Sequence, residues 1–220
     1  MNQPSFDELK PNVVLGIAAH PDDIDFGAGG TMATFAKQGA DVYYLQLTDG
    51  GKGSSDPDVS SAEIIKVRQQ EQLNACEAIG GAGVHFLDYP DGELAVTLEL
   101  KEQIVRAIRT LKPDVVITTD PTMVYDPDWG IINHTDHRAA GQATLDAVYP
   151  LARDHLSFPK LYAEGLQPHK VKTVLMTNFS NHNFYVDVSG ALETKFKAAQ
   201  AHASQVKDFD RLKQMFTDVA

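Results

Sequence analysis

The sequence predicts an α/β protein with a mostly parallel central sheet and helices on both of its faces. Short runs that are almost wholly apolar, such as 13–19, fit strands that are buried on both sides of a parallel sheet. Segments with helical periodicity and end signals alternate with these runs. The expected architecture is therefore three-layered and Rossmann-like. With 220 residues and no linker or repeat, we expect one domain over 1–220.

Each predicted element has a local signal. Strands are predicted over 13–19, 41–48, 84–87, 114–119, 171–176 and 184–188. Helices are predicted over 26–37, from a capping box at Ser60 to about 79, over 98–111 and 134–148, and from Ser189 to beyond His202. The stretch 120–133 contains two prolines and a glycine, and we expect a long loop there.

Composition excludes several classes of partner. The net charge is −11, and no local basic patch offsets it, so we expect no nucleic-acid binding. No run of about 18 apolar residues exists, and the first residues lack the features of a signal peptide, so we expect no membrane association. Cys76 is the only cysteine, which fits the reducing cytoplasm. The sequence leaves a homo-oligomer open.

Polar clusters follow four of the predicted strands. They are 20–23 after the first strand, Asp49 after the second, 89–92 after the third, and the loop from Asp120 to His134 after the fourth. Ligands of open α/β sheets bind outside the carboxyl ends of the strands, and these clusters would meet there. The sequence therefore predicts a functional site at this edge.

The residue types in these clusters favour a catalytic metal site. His134 and His137 are three residues apart, so they share a face of the predicted helix. Two histidines and one aspartate can give zinc three ligands and leave the fourth position to water, as in catalytic sites. Taken alone, the aspartates of 20–23 are equally typical of a helix N-cap.

The motifs resemble those of the LmbE-like, or PIG-L, zinc-dependent N-acetylglucosaminyl deacetylases. The segment 18–23, with Gly29-Gly30-Thr31 downstream, is similar to the first family signature, and 134–138 is similar to the second, H-x-D-H. Weaker matches are 47–50, 68–71, 90–92 and 202–205. The resemblance spans about residues 12–205. It implies a deacetylase that removes an acetyl group from an N-acetyl amino sugar or its small glycoside.

The resemblance also implies the catalytic roles. His20, Asp23 and His137 would bind Zn²⁺, with Fe²⁺ or Co²⁺ also able to occupy such ligands. Asp22 would act as the general base on a water molecule that zinc activates for attack on the amide carbonyl. His134 would hold the oxyanion as an imidazolium.

Further roles follow from the same resemblance. Asp136 would orient His134 and keep it charged. Arg68, Asp91 and His202 would contact the substrate. The amine could take its proton from either Asp22 or His134.

Several positions have competing explanations. Arg68 and Glu71 could instead form a solvated ion pair on the helix, and Asp91 could simply be a turn residue. Many members of the family carry a glutamate directly after the second aspartate of the first signature, where this chain has Ile24, and Asp25 could replace that acid or open the helix. We also hypothesise that Tyr125 and Trp129, in the loop 121–130, stack on a sugar or close over the site.

The sequence leaves three alternative functions open. The same three ligand types form the facial triad of non-haem Fe(II) oxygenases, although the spare Asp22 suits hydrolysis better. The run 27–30 opens a helix and faintly resembles a dinucleotide loop without matching G-x-G-x-x-G, so a nucleotide-binding module is conceivable. Within the resembled family, an amidase of a thiol-sugar conjugate is the third.

Overall fold

The structure, a computed structural model, describes residues 6–127, 130–178 and 182–218. Its strands are β1 Val13–Ala18, β2 Asp41–Thr48, β3 Gly83–Tyr89, β4 Val115–Thr119, β5 Tyr125–Asp126, β6 Ile131–Ile132 and β7 Thr173–Thr177. Its α-helices are α1 Asp23–Lys37, α2 Ser61–Ile79, α3 Leu98–Leu111, α4 Thr135–Asp146, α5 Pro159–Ala163, α6 Leu192–Ala201 and α7 Phe209–Asp218. A π-helical turn, Ala147–Leu151, follows α4.

Five strands form one sheet in the order β3-β2-β1-β4-β7, and all of its neighbouring strands are parallel. The chain builds outward from β1 to β3 and then returns to add β4 on the other side of β1. This reversal opens a crevice between the loops after β1 and β4, where ligands of doubly wound sheets bind. The predicted parallel sheet is confirmed.

Helices cover both faces of the sheet, which confirms the three-layer prediction. Helices α1, α2 and α6 pack on one face around β-strand residues such as Val42 and Ile117. Helices α3 and α4 pack on the other face around residues such as Leu15 and Val116. Because β1 and β4 bury both of their faces, their sequences are nearly continuous apolar runs.

The local signals at the ends of α2 also appear in the structure. Ser60 Oγ accepts the backbone N–H of Glu63 at 3.3 Å, and a Glu63 carboxylate oxygen accepts the N–H of Ser60 at 2.9 Å. Gly80 ends the helix in the left-handed conformation, with φ 74°. These two signals set where α2 begins and ends.

Several element predictions are wrong. The segment 184–188 alternates between half-buried and exposed residues as a strand would, but it belongs to neither sheet and packs Val188 against Gly30 of α1 instead. The last predicted helix stops at Ala201, before His202, and a further helix, α7, follows. The predicted loop 120–133 contains the β5–β6 hairpin.

Among the described residues, none of the helices combines the length and the apolar character that crossing a membrane requires.

Candidate active site

The turn between β1 and α1 carries the first cluster of polar residues. Asp22 has φ 109° and ψ −32°, a conformation that L-residues rarely adopt and that costs on the order of 1–3 kcal/mol. It occupies the N-cap position of α1, yet its side chain makes no cap hydrogen bond. Asp23 Oδ2 instead accepts the N–H of His20 at 2.8 Å. The N-cap explanation for the Asp22 side chain is therefore wrong, and its carboxylate is available for another role.

Three side chains, two from this turn and one from α4, bring possible metal-ligand atoms close together. His20 Nδ1 lies 3.2 Å from His137 Nε2, His137 Nε2 lies 3.0 Å from Asp23 Oδ1, and His20 Nδ1 lies 3.5 Å from Asp23 Oδ2. Ligands at 2.0–2.2 Å from a tetrahedral ion are separated by about 3.3–3.6 Å. The three side chains therefore form a triangle whose sides, 3.0–3.5 Å between the nearest ligand atoms, are close to the ligand spacing of a zinc site. Asp23 contributes Oδ1 to the side it shares with His137 and Oδ2 to the side it shares with His20.

The partners of the two imidazoles fix which ring nitrogens carry protons. Asn133 Nδ2 donates to the carbonyl of Met123 at 2.8 Å, so its Oδ1 faces His137 Nδ1 at 3.2 Å and requires a proton there. His20 Nε2 lies 3.1 Å from Asp91 Oδ1 and 3.4 Å from Asp136 Oδ2. In neutral rings, the lone pairs of His20 Nδ1 and His137 Nε2 would then face each other. Such an arrangement fits a cation between them.

The pKa shifts of His20 and Asp23 also indicate that this cluster holds a positive charge. Burial by itself lowers the pKa of His20, but hydrogen bonds and charges from Asp23 and Asp91 outweigh it and raise that pKa to about 10. Burial raises the pKa of Asp23, yet the bonds and charges of His137 and His20 lower it well below its usual range. Without a metal ion, a proton on His20 therefore supplies the positive charge that the cluster requires.

Two other groups of donors share His20. Its ring lies within 4.8 Å of His134 and His137 in one group, and of Asp91 and Asp136 in the other. The two carboxylate oxygens of Asp136 accept the backbone N–H groups of Gly92 and Leu94, at 2.6 and 3.2 Å. His134 Nδ1 and both oxygens of Asp136 accept backbone N–H groups, whereas Asp23 accepts its backbone N–H on Oδ2 and turns Oδ1 to His137 Nε2. The set of His20, Asp23 and His137 is therefore the better fit for an ion.

Asp22 lies beside this triangle and is held by Arg68 of α2. The guanidinium Nη2 donates to Asp22 Oδ2 at 3.1 Å and to the carbonyl of Pro21 at 2.6 Å, and Nη1 donates to the carbonyl of Gly50. Burial and the charge of Asp23 raise the pKa of Asp22 to about 7, against the opposing charge of Arg68. A carboxylate that titrates near neutral pH is suited to general-base catalysis.

The alternative explanation, a solvated ion pair between Arg68 and Glu71 on the helix surface, is wrong. Both residues are buried, and Glu71 accepts hydrogen bonds from the backbone and hydroxyl of Ser204 at 2.7 Å. Gly50, with φ 64°, and Gly53 leave room for the guanidinium, since a Cβ on either would lie within 2.8 Å of Arg68 Nη1. Because these two residues after β2 are glycines, the Arg68 side chain can reach the turn after β1.

His134 differs from the expected imidazolium. Its Nδ1 accepts the backbone N–H of Asp136 at 3.1 Å, so the neutral ring carries its proton on Nε2. The Asp136 carboxylate faces His20 and backbone amides rather than the His134 ring. Burial and the nearby charge of His20 lower the pKa of His134. The prediction that the Asp136 carboxylate orients His134 is therefore wrong, since the backbone N–H of Asp136 does so. The charge of Asp136 does raise the pKa of His134, but burial and the charge of His20 outweigh it.

Asp91 closes the site from the turn after β3. Its Oδ2 accepts the N–H of Lys52 at 2.9 Å, and its own N–H donates to Asp49 Oδ1 at 3.1 Å. The hydrogen bond to His20 is the main reason that its pKa falls to about 2. Asp49 thus ties the loops after β2 and β3 together, and Asp91 pairs with His20 at the floor of the site.

His202 lies outside the site. Its side chain is fully buried, and Nε2 lies 2.9 Å from Asp25 Oδ2. Asp25 is also fully buried and accepts hydrogen bonds from Tyr44 and Gln72. The prediction that His202 contacts the substrate is contradicted, because its ring is fully buried, packs edge-on against Phe26 and does not line the open cavity.

Comparisons with known proteins agree with this geometry. The profile of the family described as PIG-L, GlcNAc-PI de-N-acetylase, matches residues 15–148, which is more than half of the chain. This chain belongs to the PIG-L family.

Named relatives carry the same assignment. The chain is 37% identical over 205 residues to a diacetylchitobiose deacetylase of Thermococcus kodakarensis, covering 93% of this chain and 73% of that protein. It is 30% identical over 240 residues to a 1D-myo-inositol 2-acetamido-2-deoxy-alpha-D-glucopyranoside deacetylase of Rhodococcus erythropolis, covering 88% and 81%. A solved N,N'-diacetylchitobiose deacetylase from Pyrococcus horikoshii superimposes with a TM-score of 0.82 at 29% identity, covering 90% and 72%. The chain is therefore an amide hydrolase of the PIG-L family, whose deacetylases depend on a metal ion.

An open cavity of about 410 Å³ gives access to the site of this PIG-L protein. It is lined by His20, Asp22, Asp23, Phe26, Lys52, Gly53, Arg68, Asp91, Gly92, His134 and His137. Tyr125 is largely exposed on the β5–β6 hairpin and does not line it, and Trp129 lies outside the described residues. Gly27 and Gly30 lie inside α1, where Gly30 admits Val188, so the dinucleotide-loop interpretation is wrong.

Two further residues of the PIG-L site were not predicted. Asn133 orients His137, and Gln72 accepts the N–H of Asp22 at 3.0 Å. Gln72 had a usable signal in the sequence, because it lies four residues after Arg68 on the predicted helix and so shares a face with it. Asn133 precedes the helix that carries His137, so helical spacing could not identify it.

Proposed function

We propose that this protein removes the acetyl group from a small N-acetyl amino sugar or its glycoside, using Zn²⁺ held by His20, Asp23 and His137. The observation that carries the proposal is the triangle of the three side chains, whose nearest ligand atoms are 3.0–3.5 Å apart, with the strained Asp22 beside it. Fe²⁺ or Co²⁺ could take the same ligands. The named relatives act on 2-acetamido sugars with different second groups, which supports the sugar rather than the aglycone as the common feature.

The metal ion, when bound, would lower the pKa of a water molecule and polarise the amide carbonyl. Asp22 would take the proton of that water as the oxygen forms its bond to the carbonyl carbon. Arg68 holds the Asp22 carboxylate in place for this transfer. His134, neutral and protonated on Nε2, would donate a hydrogen bond to the developing oxyanion.

The same residues complete the reaction. When the C–N bond breaks, the amine must gain a proton to leave. Asp22 carries the proton taken from water and would return it to the nitrogen, giving acetate and the free amino sugar. His134 is unsuited to this step, because its Nδ1 accepts a hydrogen bond and its lowered pKa keeps the ring in the neutral form, which has no acidic proton to give. We therefore assign both proton transfers to Asp22.

Substrate contacts are proposed for Arg68 and Asp91, whose side chains line the cavity. Both are also engaged with site residues, so each would use its remaining hydrogen-bonding capacity toward the sugar hydroxyl groups. We further propose that the protein works in the cytoplasm as one domain, alone or as a homo-oligomer. Fractionation of cells and sedimentation of the purified chain test these last points.

The decisive experiment measures amine and acetate release from N-acetylglucosamine, its methyl glycoside and diacetylchitobiose, with metal content determined in the same sample. We expect equimolar amine and acetate, loss of activity with a chelator, and recovery with Zn²⁺, Fe²⁺ or Co²⁺. The Asp22→Ala variant should keep its metal and lose turnover. Faster cleavage of a thiol-sugar conjugate than of any sugar would replace the deacetylase with the amidase. Oxygen consumption with a 2-oxoacid would replace it with an oxygenase.

A further inference from the structure

The conformation of Asp22 requires an explanation beyond its own sequence. Its φ of 109° is disfavoured for any residue with a side chain, and no cap hydrogen bond of its own compensates. A strained residue persists only where its surroundings over-determine it. The contacts made to its backbone and to its carboxylate identify these surroundings.

Two residues of α2 provide those contacts. Arg68 and Gln72 are one helical turn apart and face the turn after β1 together. Arg68 holds the Asp22 carboxylate, with Nη2 at 3.1 Å from Oδ2. Gln72 holds the backbone, with Oε1 accepting the Asp22 N–H at 3.0 Å. The side chain and the main chain of Asp22 therefore have separate supports.

The amide of Gln72 is itself fixed on both sides. Its Nε2 donates to Asp25 Oδ2 at 2.9 Å, and its Oε1 also accepts from Gln46 Nε2 at 2.8 Å. The Gln72 side chain is fully buried, so water cannot replace a lost partner. Since Asp25 can only accept from it, the carbonyl oxygen of the amide must point at Asp22.

Asp25 is anchored in turn by two fully buried side chains. Tyr44 Oη donates to its Oδ1 at 2.6 Å, and His202 Nε2 lies 2.9 Å from its Oδ2. These contacts come from β2 and from the end of α6, and Gln72 connects them to the turn after β1. The result is a rigid path from the protein core to the backbone of Asp22.

We propose that Gln72 is a positioning residue for catalysis, which keeps Asp22 in its strained conformation and thereby aims the base at the water. This inference rests on the proposed role of Asp22 as general base. Gln72 touches neither the cavity nor the three metal-binding residues by any hydrogen bond described for it. Its loss should therefore act on the chemical step, and not on metal content or substrate affinity.

The test uses Gln72→Met, which keeps the length of the side chain and removes both hydrogen-bonding groups. Gln46→Met is the matched control, since Gln46 is equally buried and binds Gln72 but not Asp22. We expect Gln72→Met to lower kcat by about 10- to 100-fold, as misplacement of a reacting group by about 1 Å does. KM and metal content should stay within about twofold of wild type, and Gln46→Met should keep kcat within about threefold.

A rescue separates positioning from general damage. In Gln72→Glu, the neighbouring Asp25 carboxylate favours a protonated acid, which retains one acceptor and one donor in the same places. We expect this variant to recover most of the kcat lost in Gln72→Met. If Gln72→Met does not fold, Gln72→Asn replaces it, because the shorter amide cannot reach the Asp22 N–H and the same loss of kcat is expected.

Three results would overturn the inference. They are an unchanged kcat in the folded variant, an equal loss in Gln46→Met, or a loss that appears in KM or metal content instead. Crystal structures give a readout without activity: we expect Asp22 to leave its positive φ in Gln72→Met, and an unmoved Asp22 would refute the positioning role. If Asp22→Ala retained turnover while Gln72→Met still moved Asp22, the proposed function would fail and the structural role of Gln72 would stand.

Discussion

The Nδ1 atom of His20 and the Nε2 atom of His137 lie 3.2 Å apart, although 117 positions separate the two residues in the chain. Asn133 and the carboxylates of Asp91 and Asp136 occupy the other nitrogens of these rings. The rings therefore cannot turn away from each other without breaking these contacts. The arrangement is built to hold one positive charge, which either a proton or a metal ion can provide.

Metal binding should consequently release a proton. In the metal-free protein the pKa of His20 is raised to about 10, so the ring is protonated at pH 8, while a metal ligand must be neutral. At pH 8 Asp22, with a pKa of about 7, is already mostly ionised and contributes little. We expect about one proton released per Zn²⁺, measured by titration calorimetry in buffers of different ionisation enthalpy.

The same linkage sets the pH dependence of affinity. Because the proton competes below the raised pKa of His20, the apparent affinity for Zn²⁺ should rise about tenfold per pH unit between pH 7 and 9. An affinity that is flat over this range, with no proton release, would show that His20 is not a ligand.

Asn133 should matter for the metal although it cannot bind it in this arrangement. Its Oδ1 fixes the proton of His137 on Nδ1 and leaves Nε2 bare. Removing such a partner typically weakens metal affinity by about 10- to 100-fold. We expect that range for Asn133→Ala and a complete loss for His137→Ala, measured by competition with a chromogenic chelator. Equal affinities in Asn133→Ala and wild type would contradict the assigned tautomer.

The sequence predicted most of the scaffold because its signals are local. The capping box at Ser60 and the buried run of β1 each need only their own neighbours, and both appear in the structure. The segment 184–188 has the alternation of a strand, but no ladder forms there, because its side chains pack on α1 instead. Whether a segment joins a sheet depends on a neighbouring strand with free backbone groups, and the residue pattern of the segment itself carries no information about that neighbour.

The site was predictable in part for the same reason. The motif positions 20–23 and 134–138 do meet at the carboxyl edge of the sheet. Partner choice was less predictable, because Asp136 could face either His134 or the backbone of Gly92, and only the fold decides between them. His202 was misplaced because α6 ends one residue before it, which turns its ring inward to Asp25.

Arg68 should control the pH at which the enzyme becomes active. Its charge lowers the pKa of Asp22, so its removal raises that pKa further above its ordinary value. The base works as the carboxylate, and the acidic limb of kcat/KM should therefore move to higher pH, by about one unit or more, in Arg68→Met. Arg68→Lys keeps a charge but loses the forked hydrogen bonds, and we expect a smaller shift.

The pH profile separates this effect from loss of a substrate contact. Lost binding alone would lower kcat/KM uniformly with pH and leave both limbs in place. A profile that only falls, without moving its acidic limb, would therefore contradict the coupling between Arg68 and Asp22 and favour a role for Arg68 in holding the sugar.

His202 should prove to be a stability residue. Replacement by alanine leaves the Asp25 carboxylate buried without one of its three partners and opens space under Phe26. Leaving a buried acceptor without its hydrogen-bond partner costs about 1–3 kcal/mol of unfolding free energy, and more when the acceptor is charged. We expect that loss in urea denaturation of His202→Ala, against a change below about 0.5 kcal/mol for His155→Ala, whose side chain is exposed. In the folded His202→Ala variant, KM for the sugar should stay within about twofold of wild type. A KM raised tenfold with unchanged stability would instead place this ring against the substrate.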